Sequence, residues 1–71
     1  MGMSFAIELE QETDGRWIAE VPDLPGVLAY GATRQAAIGA AEALALRVLA
    51  DRVELGEAEA PLSINFVPAA A

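Results

Sequence analysis

A proline-free run rich in alanine and leucine lies between Thr33 and Gly56 and constrains the fold of this 71-residue chain more than any other feature. Thr33 is a favourable N-cap and Gly56 a favourable helix stop, so the run predicts one helix from about Arg34 to about Leu55. On a helical wheel one arc collects most of its apolar side chains: Ala37, Ile38, Ala41, Leu44, Ala45, Val48, Leu49 and Leu55. We expect this arc to pack against a sheet.

The segments around the helix alternate as strands do. Between Ser4 and Glu12 apolar residues alternate with glutamates, and a second alternating segment follows the turn Thr13-Asp14-Gly15. A short apolar segment at 27–30 and an alternating segment at 62–67 predict two further strands. The order strand, strand, strand, helix, strand predicts an α+β fold, a small antiparallel sheet with the helix packed on one face.

The register of the first hairpin follows from the rule that paired side chains share a face. A two-residue loop would pair Leu9 with Glu20 and mix apolar with acidic side chains. A three-residue loop ending at Gly15 pairs Leu9 with Ala19 and separates an apolar face from a charged one. This register is our prediction, and it places Glu8 opposite Glu20.

Length and composition exclude several kinds of protein. We expect a single domain over residues 1–71, with a core from about 4 to 67 and a tail over 68–71. Without cysteine or histidine there is no disulfide, no thiolate zinc site and no imidazole chemistry. A net charge of -7 disfavours direct binding to nucleic acid or an anionic membrane. The start of the chain lacks a basic region and a long apolar run, so we expect a cytoplasmic protein.

The predicted outer face of the hairpin is acidic and is our candidate partner-binding site. Its carboxylates are those of Glu8, Glu10, Glu12 and Glu20. They form either a docking surface for a basic partner or a solvated face. Because like charges opposite each other destabilise a sheet, a basic partner would relieve the repulsion between Glu8 and Glu20. Asp23, in a stiff loop between two prolines, is either a further partner contact or only part of a turn.

Paired carboxylates also suggest a hydrolase or a magnesium site. We do not favour either, because the chain has no His, Cys or Lys to complete a catalytic group and the hairpin face would be flat. We therefore expect no enzyme activity, no catalytic residue, no metal and no cofactor.

Two apolar helix residues, Leu46 and Val53, lie outside the predicted buried arc. They are either contacts with a second subunit or residues at the margin of the core. Because a domain of this size buries little area, we expect a homo-oligomer. Trp17 is either a binding anchor or, as we prefer, a residue at the core edge.

Several of these segments together resemble the HicB-like antitoxin family. The resemblance covers about residues 5–67. It is carried by a hairpin containing Asp14-Gly15 and Trp17, by the run Ala19-Glu20-Val21-Pro22-Asp23-Leu24-Pro25-Gly26, and by Gly31-Ala32-Thr33 before an alanine-rich helix.

The resemblance implies a strand-strand-strand-helix-strand domain in a type II toxin-antitoxin pair. Members of the family bind and block a small basic HicA-like toxin, an mRNA-cleaving ribonuclease with a catalytic histidine. Many continue into a DNA-binding segment, which these 71 residues do not contain. Ala36 and Val27 replace the Glu and Cys that the family often has at these positions. The alternative is a stand-alone oligomerisation domain without a toxin partner.

Overall fold

The computed structural model describes residues 2–61 and 63–69. The predicted fold class and element order are confirmed, because one helix packs against a four-stranded sheet. In chain order the elements are β1 (Gly2–Gln11), β2 (Trp17–Glu20), β3 (Leu28–Gly31), α1 (Arg34–Glu54) and β4 (Ser63–Pro68).

The sheet has the strand order β3-β2-β1-β4 and is mixed. β1 and β3 both pair antiparallel with β2, whereas β4 pairs parallel with β1. We predicted an antiparallel sheet. This prediction is wrong for β4, which is parallel to β1. The chain leaves β3, returns along the helix and enters β4, so β4 runs in the direction of β3 and therefore of β1. The alternation of apolar residues identifies a strand but not its direction.

The hairpin between β1 and β2 has the predicted register. Leu9 pairs with Ala19, and Glu8 pairs with Glu20. The loop closes through the Glu12 N–H, which donates to the Arg16 carbonyl at 2.7 Å. Gly15 has a φ of 95°, the left-handed conformation that favours glycine. The separation of apolar and acidic faces was therefore sufficient to decide the loop length.

The core lies between the helix and the face of the sheet formed by odd-numbered residues of the first three strands. Its buried side chains are Phe5, Ile7, Ala19, Val21, Leu24, Val27, Ala37, Ile38, Ala41, Ala45 and Leu49. Trp17 is half-buried at the edge of this core, as we preferred. Leu24 is a core residue that we did not predict, because it stands alone among loop residues. The loop folds it inward as the Leu24 N–H donates to the Val21 carbonyl.

Both ends of α1 form as predicted. The Thr33 hydroxyl accepts from the Ala36 N–H at 3.0 Å. At the other end Gly56 has a φ of 74°, and its N–H donates to the Val53 carbonyl. Leu55, which we placed in the buried arc, is instead 72% exposed. It is the C-cap, so the chain leaves the helix before this side chain can reach the core.

The end of the chain is ordered further than predicted. Pro68, which we assigned to the tail, belongs to β4, and the Ala69 N–H donates to the Ile7 carbonyl at 2.8 Å. The remainder of the predicted tail lies outside the described residues, as does Leu62 of the predicted strand. In the part of the chain that is described, no helix is both long and apolar enough to cross a membrane.

Candidate protein-binding surface

The sheet has one face that the helix does not cover, which we call the open face. Residues alternate between the two faces of a strand, and the odd-numbered residues of β1 face the helix. The open face therefore includes Ser4, Ala6, Glu8, Glu10, Ile18, Glu20, Leu28, Tyr30, Asn65 and Val67. In neighbouring strands these residues are aligned in rows, because paired residues point to the same side.

Three of the predicted binding residues lie together on this face. Glu8 pairs directly with Glu20, at a Cβ separation of roughly 5 Å. Glu10 follows on β1 and pairs with Ile18. All three glutamates are exposed, and among residues 2–61 and 63–69 no arginine forms an ion pair with any of them. The pairing of Glu8 with Glu20, from which we predicted repulsion, is thus present in the fold.

The other two predicted binding residues lie at opposite ends of β2. Glu12 is half-buried beside the hairpin loop. Asp23 is exposed in the loop between β2 and β3, three residues after Glu20. The structure therefore groups Glu8, Glu10 and Glu20 at the centre of the surface and leaves Glu12 and Asp23 at its margins.

Apolar side chains accompany the carboxylates, and we did not predict them as part of the site. Leu28 continues the row of Glu8 and Glu20, and Tyr30 continues the row of Glu10 and Ile18. Tyr30 is 50% exposed, and Leu28 is exposed as well. The sequence does indicate that these two residues face away from the helix, because Leu28 and Tyr30 alternate with the residues of β3 that face it. That they lie beside the carboxylates follows only from the pairing of β3 with β2.

The only ion pair that the described residues form lies in the hairpin loop. The Arg16 Nε lies 2.9 Å from the Asp14 Oδ2, and its guanidinium stands 5.0 Å from the centre of the Tyr30 ring. Arg16 is opposite Glu12 in the backbone, but its side chain turns to Asp14 instead. The hydrogen bond from the Arg16 backbone N–H and then its guanidinium lower the pKa of Asp14. This arginine therefore lies over Tyr30 at the hairpin end of the open face and forms no ion pair with Glu8 or Glu20.

A second surface lies between the later half of α1 and β4, and we call it the groove. It is open to solvent, has a volume of about 330 Å³ and is lined by Leu46, Leu49, Ala50, Val53, Ala60, Pro61 and Ile64. Leu46 is 46% exposed and Val53 is half-buried. The two residues that we proposed as subunit contacts therefore lie on the same apolar surface. Pro61 and Ile64 were not predicted to join them, because the direction of β4 was not known.

The fold and these two surfaces define a small two-layer α+β domain. Within the described ranges, no group of three or more acidic side chains is placed to hold a metal ion. Comparison of the chain with family models, with curated proteins and with solved structures finds no match.

Proposed function

We propose that this chain is an antitoxin-like protein that neutralises a small basic, HicA-like mRNA-cleaving ribonuclease by stoichiometric binding. The open face is the binding surface. The observation that carries the proposal is the direct pairing of Glu8 with Glu20, both exposed, on the face that the helix does not cover. A surface of this kind is more stable with a cationic partner than alone.

The charge of the open face suits a ribonuclease toxin. A protein that cleaves RNA needs positive charge to bind phosphates. Glu8, Glu10 and Glu20 can occupy the same cationic groups, and complementary charge also speeds the encounter at low salt. The inhibitor then needs no chemistry of its own, because covering the RNA-binding surface is enough.

The apolar side chains give the surface a second source of affinity. Tyr30 and Leu28 lie beside the carboxylates and are accessible to a partner. Tyrosine is enriched among the residues that dominate protein interfaces. Charge alone would give weak, salt-sensitive binding, whereas burial of these side chains makes the complex persist in salt.

The sequence resemblance supports the same proposal. The run from Ala19 to Gly26 and the residues Gly31 and Thr33 are the parts of the chain that resemble HicB-like antitoxins. In this structure Val21 and Leu24 of that run are core residues, and Thr33 caps the helix. Asp23 is the exposed acidic residue of the run and lies at the end of β2 that carries Glu20.

Co-expression with the product of the neighbouring reading frame tests the proposal. We expect a complex with a small basic protein whose ribonuclease activity falls to zero at one antitoxin chain per toxin. Association should slow as salt is raised. If the complex forms but the ribonuclease stays active, binding is not neutralisation and the proposal is wrong.

A pair of double variants locates the binding surface. Glu8→Gln with Glu20→Gln removes two charges from the open face and should weaken the complex at least about tenfold. Asp51→Asn with Glu54→Gln makes the same change of charge on the exposed side of α1 and should leave affinity within about twofold. Equal losses from both pairs would contradict binding at the open face.

The groove favours a second candidate function, a stand-alone oligomerisation domain. The accessible apolar surface around Leu46 and Val53 is its support. A chain that forms oligomers but binds no basic neighbour at low salt would favour this alternative.

A further inference from the structure

Strand β4 forms one edge of the sheet and presents free backbone groups there. On its inner side it pairs with β1, and the bond from the Ala69 N–H to the Ile7 carbonyl fixes which residues point inward. Alternate residues of a strand direct their N–H and C=O groups to the same side. The backbone groups of Ile64 and Phe66 therefore point outward, where no strand of the described chain meets them.

This edge lacks the usual protection against pairing with another strand. Edge strands are commonly short, or carry charged residues or an internal proline. β4 is six residues long, Ser-Ile-Asn-Phe-Val-Pro, and contains no charged side chain. Its proline, Pro68, comes last and leaves the centre of the strand free to pair. The opposite edge, β3, has four residues.

The groove extends the accessible surface from this edge onto the helix. Ile64 lines the groove, and Phe66 packs against Phe5 with their ring centres 5.9 Å apart. Both are only half-buried, although their side chains lie on the helix side of the sheet. Leu46 stands across the groove on α1 and is exposed. A strand that paired with this edge would therefore lie beside accessible apolar side chains.

Charge identifies a second copy of the chain as a suitable partner for this side. Each copy carries a net charge of -7, so two copies repel unless they meet where carboxylates are absent. β4 and all seven residues that line the groove are uncharged. By contrast, the open face presents Glu8, Glu10 and Glu20 and is unsuited to self-association.

Area indicates that the edge and the groove act together. A stable dimer buries about 800 Å² per subunit. The molecule measures 41 × 19 × 16 Å, so an interface of that size needs most of one long side rather than one strand edge. β4 and the later half of α1, with the groove between them, make up such a side.

We propose that the chain forms a homodimer in which β4 pairs antiparallel with β4 of a second copy. A two-fold axis perpendicular to the sheet relates the copies, because that axis alone makes identical edge strands antiparallel within one sheet. Both helices then lie on the same side. The line along which the two β4 strands pair is called the seam. The two grooves meet on the helix side of this seam, and Leu46 and Val53 of each copy approach the other copy.

We assign to this pairing the register that uses the central free backbone groups of β4 in both copies. With Asn65 on the axis, Ile64 of each copy pairs with Phe66 of the other, and four hydrogen bonds form. A shift that places Ile64 opposite Pro68 also forms four bonds, but two of them then lie at the end of the strand, where proline offers a carbonyl and no N–H. Asn65 therefore faces its own copy across the seam, on the side of the open face.

Analytical ultracentrifugation of the purified chain tests for the dimer. We expect a species of twice the 7.4 kDa chain mass at concentrations up to about 100 μM, without any partner present. A chain that stays monomeric throughout this range would overturn the proposal. The result is independent of toxin binding, since no toxin is in the sample.

Charge exchange at Asn65 tests the seam itself. Asn65→Asp alone and Asn65→Lys alone each place like charges opposite each other, and each should raise the dimer Kd at least about tenfold. An equimolar mixture should recover a heterodimer, which shows that the single variants are folded. A dimer that both variants leave intact, or a mixture that stays monomeric, would contradict this register.

Ser4 offers a matched control for that experiment. It pairs with Asn65 on the neighbouring strand and is exposed on the same face. Ser4→Asp and Ser4→Lys add the same charges one strand further from the axis. The Kd should change by no more than about threefold, because charge interaction falls with distance in water. Equal effects at Ser4 and Asn65 would indicate a general charge effect and would overturn the assigned seam.

Discussion

Gly31 lies where the end of β3 approaches the backbone of the first turn of α1 closely. A Cβ built on Gly31 would lie 2.8 Å from the Ala36 carbonyl carbon and 2.8 Å from the Ala37 Cα. These are backbone atoms of the first helical turn, so they cannot move aside as a flexible side chain can. The missing side chain at Gly31 is what allows α1 to begin directly above β3.

Replacement of Gly31 therefore has a predictable cost. We expect Gly31→Ala to lower the free energy of unfolding by about 2 kcal/mol or more, because the added methyl group separates the helix from the sheet. Gly39→Ala is the matched control. Gly39 lies on the exposed side of α1 with nothing within 4 Å of an added Cβ, so this change should stabilise the chain by about 0.5–1 kcal/mol. Urea unfolding monitored by Trp17 fluorescence measures both.

Asp14 makes the stability of the hairpin loop depend on pH. The Arg16 N–H and guanidinium lower its pKa in the folded state, so the folded chain favours the carboxylate. This contribution is present above the unfolded-state pKa of about 3.9 and is lost as pH falls through the lower folded value. An NMR titration should place the pKa of Asp14 below its ordinary value. In Arg16→Gln it should rise but remain lowered, because the backbone N–H still donates. An unchanged pKa in that variant would contradict the role of the guanidinium.

At the scale of elements, β1 and β2 place two carboxylates opposite each other, and one substitution can turn them into a pair of opposite charges. Glu20→Lys puts a cation opposite Glu8 and should stabilise the free chain by about 0.5 kcal/mol. The same variant should bind a basic partner more weakly, so stability and binding change in opposite directions. Glu59→Lys, in the connector after α1, alters net charge equally and should leave stability within about 0.3 kcal/mol. Urea unfolding of both variants compares them, and a less stable Glu20→Lys would show that the two carboxylates do not repel.

The hairpin and the helix were the elements most open to prediction from sequence. Their signals are local: the register follows from separating Leu9 from Glu8, and the helix ends follow from Thr33 and Gly56. The direction of β4 is not local, because it depends on how the chain returns after the helix. The burial of Leu24 depends on a loop conformation that periodicity does not describe.

In the candidate site, too, local patterns predict some residues, whereas others depend on the topology. Alternation was sufficient to place Glu8, Glu10 and Glu20 on one face. The contribution of Leu28 and Tyr30 depends on the pairing of β3 with β2, and the groove depends on the position of β4 beside β1. Surfaces made by distant segments thus require the topology before their residues can be grouped.

For the whole molecule, the proposed dimer links stability to concentration. Folding and association then share one equilibrium, so the Tm should rise by a few degrees for each tenfold increase in chain concentration. Asn65→Asp should reduce this dependence over the same concentrations. Differential scanning calorimetry at several concentrations measures it, and a Tm that is constant for the natural chain would contradict the coupling.

The dimer would also bring two open faces onto one surface. Because the two-fold axis is perpendicular to the sheet, eight strands form a continuous sheet with both helices behind it. The carboxylates of the two copies then face the same way, on either side of the seam.

The position of β1 between β2 and β4 has a consequence for how the chain is made. β1 is synthesised before the other strands and can pair first with β2, its neighbour in sequence. The other edge of β1 remains unpaired until β4, which follows the helix, has been synthesised. During that interval the nascent chain exposes an unpaired edge flanked by Phe5 and Ile7, so slowed elongation at this stage would promote aggregation on the polysome.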